Sequence, residues 1–380
     1  MVKIYSNAQI ITDGSILPGR DVIAEDSRIT SVLPHAAGNA LPGMEVVDLG
    51  GKYLAPGFID LHCHGGAGYE FVDGTAESVR RACEIHALSG TRTLYPTISA
   101  MDFDTTFRAL EAIEQAKDSC AAEIPGVHLE GPYLDAEYCG GQDARFIRPP
   151  QRDEYVRLLD RFGPLIARWT YAPEHDDGAF LDELNARGVK ASIGHSSAEY
   201  DVVNAVCRKG CRLITHLYSC TSTIIRRGGF RHLGVIESAY LLDDMFVEAI
   251  GDGCHLPPEL LRLIVKLKGS DRVCLITDAI RHAGMENSDL MQGGTQSVPY
   301  IIEDGVAKLA DRSAFAGSIA TTQRLVRCAV DAGIPLADAV LMLTRTPADV
   351  MGLKNKGRIA PGYDARFTIL DHQLNVCSEA

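Results

Sequence analysis

Six residues able to hold a metal ion or move a proton stand at the ends of apolar runs. They are His62 and His64 in PGFIDLHCH, Glu130 in PGVHLEGP, His195 in KASIGHS, His216 in RLITHL and Asp278 in VCLITDA. His62 and His64 are two apart, so a strand turns both to one face and Cys63 to the other. Imidazole nitrogen and carboxylate oxygen suit zinc, iron or manganese, and Glu130 is placed to bridge two ions. Asp278 has a bland reading as the N-cap of ITDAIRHAG. Its company favours another role, a carboxylate that takes a proton from metal-bound water and hands it to a leaving amine. Each residue alone reads best as structural. Together they predict a metal-dependent hydrolase.

Residues so far apart in sequence need a scaffold that gathers strand ends. Eight strand-like runs, 57–62, 91–97, 125–130, 167–172, 189–194, 212–217, 245–250 and 272–277, alternate with amphipathic helical stretches. That alternation predicts an α/β fold, a (β/α)8 TIM-type barrel, whose strand ends share one mouth. An open doubly wound sheet would string the same ends along a line, too far apart to share a metal. Residues 1–54 read as short strands with turns at Asp13-Gly14 and Gly50-Gly51, and GRIAPGYDARFTILDHQLNV near the C-terminus has the same character. The two ends are expected to build one small β-sandwich domain, 1–54 with 355–380, beside a barrel domain spanning 55–354. The stretch 284–312 interrupts the pattern after the last barrel strand and reads as a hairpin inserted near the mouth.

The 380 residues are 46% apolar and 23% charged, a soluble globular composition. No run approaches the ~18 apolar residues of a membrane span. MVKIYSNAQIITDG lacks a signal peptide's apolar core, so a cytoplasmic location is expected. The 11 cysteines have no disulfide-framework spacing and read as reduced thiols. A net charge of -13 argues against nucleic acid or an anionic membrane as partner. An anionic substrate would then need a local basic patch. RRGGFRH, residues 226–232, is the main one near a proposed strand end, and Arg226, Arg227 and Arg231 are candidates to fork onto a phosphate. His255 in GDGCHLPPE is a candidate substrate contact.

The motifs PGFIDLHCHGG, HLEGPY, YAPE, IGHSSA, THLYS, GDGCH, LITDA and FAGS run in order from 56 to 318. Together they resemble the amidohydrolase superfamily and, within it, the N-acetylglucosamine-6-phosphate deacetylase family. The resemblance implies hydrolysis of the acetamide of an amino-sugar 6-phosphate, to acetate and a free amine. It implies a main metal held by Glu130, His195 and His216, a second held by His62 and His64, and Asp278 as acid/base beside them. One or two divalent ions are implied, zinc first, with iron or manganese as alternatives. His255 and Arg226 or Arg227 would contact the sugar phosphate, and Gly141, Gln142, Ser219, Cys220, Phe315, Ala316 and Gly317 would line its site. A homodimer is implied, with the phosphate site close to the subunit boundary.

The sequence departs from the family on the substrate side. CGGQDARFIRPP replaces the usual G-A-H segment and puts Gln142 where the family has histidine. Tyr218-Ser219-Cys220 replaces F-N-A, and the loop through residues 226–232 is longer. A related substrate is therefore kept open, such as N-acetylgalactosamine 6-phosphate or an unphosphorylated N-acyl compound. Amidohydrolases that bridge their metals with a carboxylated lysine on strand 4 are disfavoured, because ARWTYAPE has no lysine. A non-enzymatic barrel is disfavoured because all six ligand candidates are present.

Overall fold

The computed structural model describes residues 1–285, 292–293 and 298–378. Its centre is one sheet of eight parallel strands in chain order. Barrel strands 1 to 8 are Phe58–Cys63, Thr91–Ile98, Val127–Glu130, Ile166–Tyr171, Lys190–Ile193, Leu213–Ile214, Phe246–Ile250 and Val273–Ile276. Each falls on a run expected from sequence. Helices such as Ala76–Leu88, Phe103–Ala116 and Pro258–Lys268 return the chain between strands. Two start on side-chain caps, Thr75 accepting from the Ser78 amide and Asp102 from the Thr105 amide, where Thr and Asp relieve otherwise unpaired N–H groups.

Strands 1 and 8 close the barrel. At the mouth the Asp278 amide donates to the His62 carbonyl at 2.9 Å, and the His64 amide to the Ala279 carbonyl at 2.7 Å. Below that seam a side chain takes over: Thr277 Oγ1 donates to Asp60 Oδ2 at 2.6 Å. Asp60 is buried, and burial pushes its carboxyl up to about 6 against the opposing hydrogen bonds from Thr277. Deeper in the barrel, Ile59, Leu61, Tyr95, Ile250, Cys274 and Ile276 pack with Ala348 of the helix Arg345–Met351.

The terminal sheet has seven strands from both ends of the chain. Phe367–Leu370 lies antiparallel to Tyr53–Pro56, the strand that leads into the barrel. Asp13 and Gly14 both have positive φ, 48° and 72°, the paired left-handed geometry that suits the twist of a two-residue hairpin. Tyr5, Ile10, Val22, Leu54, Phe367 and Ile369 form its core. The inserted hairpin follows strand 8 as Pro299–Glu303 and Val306–Leu309, again turning on an Asp-Gly pair. Residues 286–291 and 294–297 of the 284–312 stretch lie outside the described residues.

Candidate metal centre and active site

His195, His216 and Asp278 each lie two residues beyond the end of their strand. Their φ values are 48°, 29° and 49°. Left-handed backbone at a non-glycine residue costs on the order of 1–3 kcal/mol, and such strain gathers where a side chain must be aimed. His62 and Glu130 need no such turn, being within strands 1 and 3.

The six residues meet in one buried cluster. His195 Nε2 and His216 Nε2 lie 3.0 and 2.8 Å from Glu130 Oε1 and 3.2 Å from each other. His62 Nε2 and His64 Nε2 are 3.1 Å apart, with Asp278 Oδ1 at 3.4 and 3.2 Å from them. Glu130 stands between the halves, its Oε2 3.3 Å from His64 Nε2. Two ligand groups result, His62–His64–Asp278 and Glu130–His195–His216.

Hydrogen bonds on the far side of each ring decide what the cluster can hold. His195 Nδ1 donates to the Tyr138 carbonyl at 2.8 Å, and His216 Nδ1 to the Ser219 carbonyl at 3.0 Å. A carbonyl only accepts, so both Nδ1 atoms carry hydrogen and a neutral ring presents an Nε2 lone pair. Lone pairs from two rings and a carboxylate then converge, an arrangement that a divalent cation satisfies. Burial opposes charge on His62, yet Glu130 and Asp278 outweigh it and hold the ring up to about 10. Burial likewise raises Asp278, but the His62 and His64 rings pull it down to about 2, leaving it ionised. The donors are imidazole and carboxylate, a set that fits zinc, iron or manganese.

A cavity of about 200 Å³ opens over the cluster. Its walls include Gly141, Gln142, Ser219, Cys220, His255, Phe315, Ala316 and Gly317, all expected from sequence. Gln142 is buried and donates through Nε2 to Glu130 Oε2. His255 Nδ1 is tied to Asp252 Oδ2 at 2.8 Å and its ring lies 4.8 Å from Phe315, leaving Nε2 for a ligand. Gly140 lets the 139–142 loop sit close: a Cβ there would stand 2.3 Å from Cys220 Sγ.

Arg226 and Arg227 are not at this cavity. They lie on an exposed hairpin, Ile225–Arg227 paired with Phe230–His232, and Arg227 Nη2 is bound to Glu199 at 2.7 Å. Within one chain the hairpin carries their side chains to the surface, away from the cavity that the other expected substrate contacts line. No lysine or arginine lines the cavity among the described residues.

Two residues in the site's support escaped the sequence reading. Arg168 and Glu248 are fully buried on strands 4 and 7, and Glu248 Oε2 lies 3.4 Å from His62 Nδ1. The signal was present: one charge inside IARWTY and an opposite one inside FVEAI, each in an otherwise uncharged buried strand except for its own charge. Charges seldom enter such strands unpaired.

Barrel, strand-end histidines and the carboxylate between them define a metal-dependent hydrolase of the amidohydrolase class. The amidohydrolase family model matches residues 53–378, and the chain belongs to that family. It is similar to the N-acetylglucosamine-6-phosphate deacetylase of Lysinibacillus sphaericus, 32% identical over 358 residues that cover 93% of this chain and 90% of that one. The N-acetylglucosamine-6-phosphate deacetylase of Pasteurella multocida superposes with a TM-score of 0.91 at 28% identity, covering 99% of this chain and 97% of that one. A Mycobacterium smegmatis enzyme of the same name, solved with N-acetyl-D-glucosamine-6-phosphate, superposes with a TM-score of 0.88 at 30% identity, covering 99% and 96%.

Proposed function

We propose that this chain removes the acetyl group from N-acetylglucosamine 6-phosphate, releasing acetate and glucosamine 6-phosphate. The observation that carries the reading is Asp278, a carboxylate 3.4 and 3.2 Å from His62 and His64 in the wall of a cavity sized for a small molecule. His195, His216 and Glu130 would hold one divalent ion and His62 with His64 a second, zinc being the first candidate. When bound, such an ion lowers the pKa of a water toward ~7 and polarises the amide carbonyl.

The residues supply the rest. Asp278 accepts the proton of the attacking water as the new C–O bond forms. It returns that proton to the nitrogen as the C–N bond breaks, so the carboxylate ends as it began. The Ser219–Cys220 turn and the Phe315–Gly317 segment shape the sugar pocket, and His255 Nε2 offers a hydrogen bond to the ligand.

The phosphate needs a cation, and among the described residues the cavity wall has no lysine or arginine. The exposed hairpin supports a homodimer in which a second copy brings Arg226 or Arg227 to the site. Phe230 is 77% exposed and Ile224 48% at its surface, apolar area that association would cover.

The test is acetate release by zinc-loaded protein from N-acetylglucosamine 6-phosphate, N-acetylgalactosamine 6-phosphate and both unphosphorylated sugars. A strong preference for the first is expected. Release from none of the four would move the substrate elsewhere within the family.

A further inference from the structure

We propose that Glu248 and Arg168 are positioning residues that set the metal affinity of the His62–His64 half of the centre. The proposal rests on the two-ion reading above. Four histidine rings face the centre through Nε2, and each has its Nδ1 against the protein. Three of those partners are neutral oxygens: Ser99 Oγ for His64 at 2.9 Å, and the Tyr138 and Ser219 carbonyls for His195 and His216. Among the four, His62 alone faces a carboxylate, Glu248 Oε2.

A carboxylate behind an imidazole fixes its tautomer and makes the far nitrogen a stronger ligand. That works only if the carboxylate stays ionised and still, and Arg168 secures both. All of its donors are engaged. Nε reaches Ser192 Oγ at 3.0 Å, Nη2 reaches Thr215 Oγ1 and Glu248 Oε2 at 2.8 Å each, and Nη1 reaches the Leu61 carbonyl at 3.4 Å and Glu248 Oε1. A guanidinium has five N–H groups in a rigid plane, so this fork cannot swing without losing partners. It joins strands 4, 5, 6 and 7 to the strand 1 backbone immediately before His62. The Glu248 carboxylate therefore acts on one half of the centre: no hydrogen bond runs from it to Glu130, His195 or His216 among the described residues.

A buried ion pair kept only for the fold would change stability and leave the metal sites alike. Metal affinity, read site by site, separates the two roles. Metal-free protein is titrated with Zn²⁺ against a chromophoric chelator, and bound metal is counted by elemental analysis. Wild type is expected to take two ions per chain, with His62→Asn marking which step belongs to the His62–His64 half. Glu248→Gln keeps the shape and removes the charge. The double variant Arg168→Met/Glu248→Met removes both charges, so no lone buried ion is left to unfold the barrel.

Both variants should lose about 10–100-fold in affinity at the step that His62→Asn marks, with the other step unchanged. A variant that melts cooperatively and binds both ions as wild type does would overturn the proposal. So would equal weakening of both steps, or a wild type that takes only one ion. That last result would leave the deacetylase reading standing, since acetate release judges it separately.

Discussion

Gln142 Nε2 donates to Glu130 Oε2 over 2.6 Å, while Gln142 Oε1 accepts the amide N–H of Ala100 at 2.9 Å. Glu130 thus keeps Oε1 for His195 and His216 and has Oε2 held from the substrate loop. Gln142 also lines the cavity, so a residue of the cavity wall reaches the carboxylate between the histidines. Gln142→Leu should weaken metal binding by about 10–100-fold and raise KM, because Oε2 loses its restraint. Metal titration alongside steady-state kinetics checks this. Unchanged metal affinity with altered KM would confine Gln142 to substrate contact.

Asp278→Asn should lower kcat by about 10²–10⁴-fold, the range for loss of a general acid/base. Asparagine matches the shape and cannot take the proton. Elemental analysis and circular dichroism should show metal content and fold retained. Normal turnover in that variant would remove Asp278 from proton transfer.

Arg227→Ala should raise KM for the phosphorylated sugar about 10–100-fold, the worth of a charge-assisted hydrogen bond, and leave the unphosphorylated sugar little changed. Phe230→Asp should shift the mass measured by light scattering toward the monomer and produce the same selective loss. Equal effects on both sugars would take the hairpin away from the phosphate.

Asp21 in the terminal sheet accepts hydrogen bonds from the Asn7 amide at 2.9 Å and Asn39 Nδ2 at 2.8 Å, and lies beside His35. Burial raises its pKa, but these bonds outweigh burial and hold it at about 2, below the ordinary 3.8. A depressed folded-state pKa contributes stability above the unfolded value that is lost as pH falls through the folded one. Here that is about 2 kcal/mol, present at neutral pH and lost between about pH 4 and 2. Asp21→Asn should lower Tm at pH 7 and flatten its decline over that acid window. Parallel Tm curves for the two proteins would contradict the assignment.

The fold was legible because its periodicities are local. Apolar runs alternating with amphipathic helices marked all eight barrel strands, and Asp13-Gly14 marked its hairpin. The six polar strand ends were legible for a related reason: a barrel brings strand ends together whatever the intervening length. The 226–232 segment shows the limit: a hairpin's direction depends on what it packs against, so no local pattern recorded that these arginines project to the surface of their own chain.

The sequence by itself determined which residues could hold a metal or move a proton, because residue type and strand position are encoded along the chain. Only the tertiary structure decided which atom faces which. It set Glu130 Oε1 against His195 and His216 and Oε2 between His64 and Gln142, and it placed Glu248, paired with Arg168 from 80 positions away, against His62 in the barrel interior. The physical reason is that ring tautomers, carboxylate orientation and buried ion pairs are settled by partners from other strands, at distances of about 3 Å that sequence separation does not constrain.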